Sequence, residues 1–346
     1  MRLGLCESGT LRRALTALGA TLGLCAPLTA QSTAPLRSPL GLAGQLDASA
    51  GECCIMLLFP IGARGAALGE SMTAMTSPEA VFHNPAGLAE LDASHFVLHH
   101  VANQAQQIDA FSLIIRPFNV ATLGLSYQLI DFGDEEATNP DGIPIGRITI
   151  RDHVLVASLA TSVVAGVSAG VSYKMYNARW TCSGSCGGID VDALTHGLDV
   201  GVQYQPYWLA PLRIGVALVN AGFPLQVVNR RQSDPMPTRL RVGVAYDVMQ
   251  HITVPGDYQL WVLVDAQEDD WKSPSSPETS LGMELLVGQA VYLRAGYGAG
   301  EGVTGGPSVG VGLVYSSFHF GVAKRLDGGQ GLFGDDPFQL SLGVGF

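Results

Sequence analysis

Hydrophobic and polar residues alternate along most of the chain, and the pattern is clearest at its carboxyl end. Residues 338–346 read Phe-Gln-Leu-Ser-Leu-Gly-Val-Gly-Phe, with a large apolar side chain at every second position. Because successive side chains of a strand point to opposite faces, a period of two predicts a strand with one apolar and one polar face. The polar positions are mostly Gly, Ser and isolated charges, which is typical of a transmembrane barrel strand with lipid outside and a polar lumen inside.

About 14 segments with this pattern follow one another from residue 93 onward. Short connections alternate with longer, polar and often acidic connections. The longer connections are expected at residues 131–144, 178–192, 222–237, 266–278, 299–306 and 325–337. Outer-membrane barrels alternate short periplasmic turns with long external loops. The sequence therefore predicts an all-β fold, a transmembrane antiparallel β-barrel of about 14 strands whose two ends both lie on the periplasmic side.

One stretch, residues 154–171, permits a different interpretation. It carries no charged residue over about 18 positions, which is long enough for a membrane-spanning helix. The stretch is also rich in Val, Ser, Thr and Gly, and it runs into apolar positions that alternate at Val167, Ala169 and Val171. These features favour two strands joined by a turn at residues 164–166.

The composition favours a barrel over soluble domains. Charged residues make up 14% of the 346 residues, hydrophobic residues make up 47%, and there are 43 glycines. Soluble proteins have about a quarter charged residues, and a soluble chain with so few would struggle to cover its surface. The formal net charge of −11 argues against a nucleic-acid partner, because no Lys/Arg cluster is available to neutralise phosphates. The partner that the composition indicates is outer-membrane lipid.

The beginning of the chain has the features of a secretory signal peptide. Arg2, Arg12 and Arg13 form a positive region, an apolar run follows at residues 14–24, and Leu-Thr-Ala at 28–30 provides a cleavage site. The apolar run is too short to span a membrane. We therefore expect a protein of the bacterial cell outer membrane, divided into a removed signal at residues 1–30, a linker at 31–51, an N-terminal hatch at 52–92 and a transmembrane barrel at 93–346.

Four cysteines follow the expected signal. In an oxidising compartment, Cys182 and Cys186 can close a small surface loop through a disulfide. The same loop supplies too few ligands for a metal site. The adjacent Cys53 and Cys54 either pair with other partners or stay free.

Several charges fall on the predicted inner face of the barrel. Glu284 and Arg294 lie on neighbouring strands joined by a tight turn at residues 288–289, so we expect both in the lumen, where they can pair. Arg241 and Asp265 fall on inner faces by the same count. These charges either form a track for a polar solute or hold an internal plug. We favour the plug, because many glycines also point inward and leave space for one.

The segment before the first strand carries two helix start signals. Ser77 precedes Pro78 and Asn84 precedes Pro85, which places a capping side chain before a proline at the first helical position. Helices this short are not stable alone, so the segment must dock against something larger. The lumen of the barrel is the expected host.

The same segment resembles the N-terminal hatch of the PorV/PorQ family. The resemblance is carried by Gly62-Ala63-Arg64, Leu68-Gly69, Thr73-Ala74 and above all Asn84-Pro85-Ala86-Gly87-Leu88. That family is similar to FadL-type transporters of hydrophobic substrates, which share the Asn-Pro-Ala turn. Glu70 stands where the family usually has a small residue. The terminal Phe346 is similar to the insertion signal of bacterial outer-membrane proteins.

No constellation of catalytic residues emerges from the sequence. His83, His95, His99 and His100 lack the spacing to a carboxylate or cysteine that a metal site requires. No Gly-x-Ser-x-Gly nucleophile motif is present. We therefore expect a protein that is not an enzyme and that has no metal and no cofactor.

The resemblance leads us to expect docking of secreted proteins first, with hydrophobic transport as the alternative. A PorV/PorQ-like barrel would dock cargo of a type IX secretion system, or partner proteins of the secretion machinery, through its external loops. A FadL-like barrel would transport small hydrophobic molecules such as fatty acids or aromatic compounds. A purely structural barrel is a third possibility, and fold alone does not separate the three.

Overall fold

The fold is seen in a computed structural model that describes residues 51–103, 106–118, 120–139, 141–186, 190–227, 233–251, 257–268, 277–299, 305–326 and 337–346. The expected signal peptide and all but the last residue of the expected linker lie outside these ranges. No helix in the described part of the chain is long and apolar enough to cross a membrane.

Fourteen antiparallel strands pair with their neighbours and close into a barrel, which confirms the predicted fold class. The two remaining strands, β8 and β9, form a separate hairpin between β7 and β10. The strands are β1 (His95–Ala102), β2 (Gln107–Phe118), β3 (Ala121–Thr138), β4 (Pro144–Val164), β5 (Val167–Gly184), β6 (Val191–Tyr204), β7 (Leu212–Gly222), β8 (Leu225–Gln226), β9 (Ser233–Asp234), β10 (Arg239–Asp247), β11 (Tyr258–Glu268), β12 (Glu278–Val287), β13 (Val291–Gly298), β14 (Gly306–Tyr315), β15 (Phe318–Arg325) and β16 (Phe338–Gly345).

Alternation along each strand sets the inner and outer faces of the barrel. In β16, Gln339 is 1% exposed and Leu342 is 52% exposed, so the polar side chain faces the filled lumen and the apolar one faces outward. The apolar outer face is the surface that a lipid bilayer would cover. Residues 154–171, the segment that also suited a membrane helix, form parts of β4 and β5 joined by a tight turn.

The barrel closes where the first strand meets the last. β1 pairs with β16 from His95↔Gly345 to Ala102↔Phe338. The backbone N–H of Phe346 donates to Ser94 O at 2.9 Å, which extends the pairing to the last residue. β1 begins and β16 ends at the end of the barrel that carries the tight turns after β4 and β12, which we call the turn end. The opposite end is the loop end.

The sequence-based prediction of a loop at residues 131–144 was wrong over most of that range. β3 and β4 stay paired as far as Thr138↔Pro144, whereas pairing of β2 with β3 ends at Gln107↔Asp131. In the loop predicted at residues 178–192, residues 178–184 likewise belong to β5. The ends of β3, β4 and β5 therefore extend past the neighbouring strands at the loop end of the barrel. We call this extension, at residues 132–150 and 181–186, the flap. Its two faces both contact solvent, so its residues lack the polar–apolar alternation on which strand prediction relies.

The hatch, residues 52–92, lies inside the barrel. It contains two α-helices, α1 (Ala63–Ala67) and α2 (Ala80–His83), and the 3-10 helices Ile55–Leu58 and Pro85–Leu88. α1 packs against β13–β16, and Pro85–Leu88 packs against β4–β6. Because such short helices are unstable alone, contact with the barrel wall supplies their stability.

Close approach of the hatch depends on inward-facing glycines. A Cβ placed on Gly282 would lie 2.8 Å from the carbonyl oxygen of Leu68, and one on Gly170 would lie 2.5 Å from the backbone nitrogen of Ala86. Leu68 and Leu88 are fully buried by this contact. Burial of a leucine side chain contributes about 1.5–3 kcal/mol, so these two positions alone favour the docked hatch substantially.

Candidate functional site

The Asn84-Pro85-Ala86-Gly87 turn is held by backbone partners inside the lumen. Asn84 Nδ2 donates to Thr73 O at 2.6 Å and to Val202 O at 3.5 Å, while its Oδ1 accepts from Ala86 N at 3.1 Å. All four residues of the turn are buried. The asparagine therefore caps the 3-10 helix that follows and fastens it to both another part of the hatch and strand β6.

The other predicted helix start differs from its expected position. α2 begins at Ala80 rather than at Pro78, and its N-cap residue Glu79 makes no side-chain capping bond. Ser77 Oγ instead accepts the backbone N–H of Glu79 at 3.2 Å. Glu79 bonds outside its own helix, since its carboxylate accepts from Gly65 N at 2.9 Å and from Arg64 N at 3.3 Å. Burial raises the pKa of Glu79, and these two bonds oppose that rise.

An ion network joins the hatch to the wall. Arg64 Nη2 and Nε donate to the two carboxylate oxygens of Glu284 at 2.7 and 2.8 Å. Arg294 Nε donates to Glu284 Oε2 at 2.6 Å, across the register pair predicted from the tight turn. Glu284 is thus a buried carboxylate shared by two guanidinium groups, one from the hatch and one from the barrel. Such a group is stable only when its charge is neutralised and its oxygens are hydrogen-bonded.

The other two predicted lumen charges, Asp265 and Arg241, also contact the hatch. Asp265 Oδ2 accepts from Thr73 N at 2.8 Å. Arg241 Nε donates to Gln267 Oε1 at 2.7 Å, and its Nη1 lies 3.4 Å from His83 Nδ1. These contacts place the charges between wall and hatch, an arrangement suited to holding a plug.

Glu70 occupies a tight position in the hatch. The turn after α1 passes through Gly69 at φ +61° and Glu70 at φ +72°. A Cβ on Gly69 would lie 2.8 Å from the backbone nitrogen of Tyr297, so glycine is required there. Glu70 Oε2 lies 3.5 Å from His83 Nδ1. Burial raises the pKa of Glu70 to about 7, and burial together with nearby Arg241 lowers the pKa of His83 to about 3.

The hatch contacts two different regions of the lumen. At the loop end, Cys53, Met56, Phe59 and Ile61 of the hatch pack in an apolar cluster with inward residues of the wall. The wall members include Val101, Ile108, Ile130, Val154, Val156, Tyr176, Ala193 and Met236. We call this group the apolar cluster.

At the turn end, a cavity of about 490 Å³ lies between hatch and wall, and we call it the turn-end cavity. Its lining includes Arg64, Arg213, Trp261, Glu284, Tyr292 and Phe320. Trp261 was not identified from the sequence as a site residue. Trp261 lies two and four positions from inward Leu263 and Asp265 on β11, so the same period-two count would have placed it in the lumen.

The four cysteines in the described part of the chain form two pairs. Cys182 and Cys186 are bonded to each other in the flap. Cys53 and Cys54, which were expected either to pair with other partners or to stay free, are bonded to each other. Neither pair lies among candidate catalytic groups.

The four histidines considered above are held apart. His99 Nδ1 lies 2.9 Å from Ser341 Oγ, and His100 Nδ1 lies 2.7 Å from Asp109 Oδ1. His95 Nε2 lies 3.9 Å from Asp92 Oδ1. Within the described ranges, no group of three or more His, Cys, Asp or Glu side chains is arranged to hold a metal ion.

Comparisons with known proteins establish the fold. No protein-family model matches the chain, and no curated protein matches it. The structure is similar to that of the "CymD monoaromatic hydrocarbon channel", with 14% identity, a TM-score of 0.55, and 83% of this chain and 97% of that chain covered. It is also similar to the Pseudomonas putida toluene transporter TodX, with 11% identity, a TM-score of 0.53 and coverage of 82% and 98%. At these identities, the similarity shows that this chain shares the barrel fold of those channels.

Proposed function

We propose that this chain is a non-enzymatic outer-membrane channel for small hydrophobic compounds. The observation that carries the proposal is the presence of two features between hatch and wall. An apolar cluster reaches the loop end of the lumen, a cavity of about 490 Å³ lies at the turn end, and the fold is that of monoaromatic hydrocarbon channels. In this proposal the signal peptide is removed, the turn end faces the periplasm and the loop end faces outward.

The apolar cluster suits the first step of such transport. A hydrocarbon that leaves water for this cluster gains about 25 cal/mol for each Å² of apolar surface that it buries. It displaces no hydrogen bond there, because the cluster consists of side chains such as Phe59, Ile108 and Val154. The hatch then bars the way, so passage to the turn-end cavity requires a local shift of the hatch.

Docking of secreted proteins, the function first expected from the PorV/PorQ resemblance, gains no comparable support. The structural neighbours described above are a hydrocarbon channel and a toluene transporter. Their names refer to small hydrocarbons and not to secreted proteins. Hydrophobic transport is therefore the function that geometry and comparisons favour together.

The test is uptake of radiolabelled toluene at low concentration by a bacterial host that lacks its own hydrocarbon channel. Expression of this chain should raise the initial uptake rate, and a charge in the apolar cluster, Phe59→Asp, should abolish the rise. Ile143→Asp, a change at an exposed turn of the flap, is the matched control and should leave uptake unchanged. Folding of each protein is checked by the heat-dependent shift of its band on gels.

Two outcomes would overturn the proposal. One is a folded protein in the outer membrane that gives no more toluene uptake than the empty host. The other is equal admission of toluene and of a sugar such as xylose, which would indicate an open, unselective pore. In the native host, deletion that leaves toluene uptake intact but removes proteins from the cell surface would favour secretion docking instead.

A further inference from the structure

We propose that the turn-end cavity binds a small aromatic carboxylate and that Arg213 receives its acid group. The inference rests on the proposed function, and it adds a class of ligand that the hydrocarbon channels' names do not include. It starts from the unequal pairing of the arginines in the cavity. Three guanidinium groups, those of Arg64, Arg213 and Arg294, line it together.

Arg213 is the guanidinium group without an acid partner. Arg64 and Arg294 both bind Glu284. Arg213 Nη1 donates only to the hydroxyl of Thr76, at 3.1 Å. Its Nε is buried and has no hydrogen-bond partner among the described residues, none of whose carboxylates lies within salt-bridge distance of Arg213. A buried donor without a partner is costly, and a ligand oxygen would remove that cost.

The acidic residues near the cavity are engaged or face solvent. Glu284 is shared by two arginines, and the carboxylate of Glu79 accepts two backbone N–H groups of α1. Glu90 is exposed and accepts from Ser168 Oγ at 3.1 Å. The side chain of Asp92 is 98% exposed. Asp247, which is buried nearby, accepts from Gln259 Nε2 at 2.8 Å and from Met249 N at 3.2 Å. Among the described carboxylates only Glu284 forms ion pairs with guanidinium groups of the cavity, and it pairs with Arg64 and Arg294, so the guanidinium of Arg213 is left for the acid group of a ligand.

The surroundings of Arg213 fit an aromatic ring as well as an acid. The guanidinium carbon of Arg213 lies 5.0 Å from the ring centre of Trp261, which holds its plane in place. Tyr292 and Phe320 also line the cavity. Ligand sites of this kind commonly have volumes of about 300–1,000 Å³, with apolar walls and a few placed polar groups. A guanidinium binds a carboxylate through two parallel hydrogen bonds, which an uncharged ring cannot accept.

The experiment compares phenylacetate with phenylacetamide, which has nearly the same shape and no charge. Calorimetry with the whole protein in detergent micelles should show that phenylacetate binds more tightly than phenylacetamide, by a factor of about ten or more. Arg213→Gln should remove this preference. Arg151→Gln, which breaks an ion pair with Asp131 next to the flap, is the matched control and should retain the preference.

A second measurement uses the unmodified protein, in case the Arg213 variant does not fold. Phenylglyoxal modifies accessible arginines, and saturating phenylacetate should protect Arg213 while Arg151 reacts equally with and without it. Equal binding of acid and amide, or no protection of Arg213, would overturn the inference. If these failures occur while toluene uptake persists, the inference is wrong and the proposed channel function stands. If toluene uptake is absent as well, both are wrong.

Discussion

Asn84 shows how a single side chain ties the hatch together. The hydrogen bonds of its side-chain amide to Thr73, Val202 and Ala86 are all made to the backbone. The bonds to Thr73 and Ala86 are buried, and the bond to Val202 is partly buried. A Cβ on Gly201 would overlap the side chain of Asn84, so this position of the wall must be glycine while Asn84 lies against it. A ligand has no free group of Asn84 to bind in this arrangement.

We expect Asn84→Ala to destabilise the folded protein by about 1–3 kcal/mol, because buried backbone groups lose their partners. Urea unfolding in micelles, or the temperature at which the folded band disappears, measures the effect. The matched control is Asn139→Ala, whose side chain accepts the N–H groups of Asp141 and Ile143 in an exposed turn. That change should cost much less. Unaltered stability of Asn84→Ala together with lost toluene uptake would instead make Asn84 a ligand-binding residue.

Glu70 predicts a dependence of stability on pH. Its pKa is about 7 in the folded protein because burial penalises the charged form, while the ordinary value is 4.5. As pH rises from about 4.5 to 7, the unfolded chain ionises Glu70 before the folded chain does, so the folded state loses stability. Burial and Arg241 lower the pKa of His83, so the unfolded chain protonates His83 before the folded chain does as pH falls. This residue therefore makes the folded state less stable as pH falls.

Glu70→Gln should separate these two trends. Because His83 is present in both proteins, the difference in unfolding free energy between variant and wild type isolates Glu70. That difference should be near zero at pH 4 and should grow to on the order of 3 kcal/mol in favour of the variant above pH 7. Unfolding titrations at a series of pH values measure it. A difference that does not change with pH would contradict the prediction.

At the scale of elements, the contact of α1 with strands β12 and β13 depends on one shared carboxylate. Glu284→Gln should destabilise the protein by about 3–5 kcal/mol, since Arg64 and Arg294 would both lose their anionic partner. Asp134→Asn removes an exposed ion pair of the flap, with Arg147 at 3.4 Å, and should cost less than about 1 kcal/mol. Equal, small losses from the two changes would show that the network does not fasten the hatch. Urea unfolding of the three proteins provides the comparison.

The flap carries the second prediction at this scale. We expect Cys182 and Cys186 to be oxidised in the mature protein, because the expected compartment is oxidising and the two cysteines lie close enough in the sequence to close a short loop. The unreduced peptide that contains both should be lighter than its reduced form by the mass of two hydrogen atoms. Free thiols at both positions, detected by alkylation before digestion, would refute the disulfide.

The sequence predicted most of the strands and one ion pair, but it did not predict the contact between Arg64 and Glu284 or the flap. The period of two located the strands because each lumen position is polar or small and each outer position is apolar. The tight turn fixed the register that pairs Glu284 with Arg294. The bond from Arg64 to Glu284 joins residues 220 positions apart, and no local pattern reports such a contact. The flap was missed because both faces of its strands contact solvent, so its residues do not alternate between polar and apolar.

At the scale of the whole molecule, exposed aromatic residues at the turn end indicate how the barrel sits in a bilayer. Tyr207, Trp208, Tyr315 and Phe318 all point outward there, and Trp208 is 68% exposed. Aromatic residues of barrels concentrate at the membrane–water interface. We therefore place the turn-end ring of aromatic residues at the level of the lipid headgroups.

Fluorescence in vesicles tests this position. Lipids brominated near the headgroup should quench Trp208 more strongly than lipids brominated at the chain ends. Trp208→Phe should lower the quenched fraction of the emission, and Trp261→Phe, a change inside the lumen, should not. Quenching that is insensitive to Trp208→Phe would mean that this residue lies away from the bilayer.

The closing seam between β1 and β16 has a consequence for the order of assembly. The hatch is the first described part of the chain, yet its anchors include the last strand: Ala63 N donates to Ser341 Oγ, and Gln339 Nε2 donates to Pro60 O. These contacts bridge 278 and 279 residues, so they form only after nearly the whole chain is available. Contacts between residues so distant along the chain make folding slow. The part of the hatch that precedes and begins α1 therefore gains these anchors only when the last strand joins the sheet, so closure of the barrel and completion of the plug's attachment occur together, late in assembly.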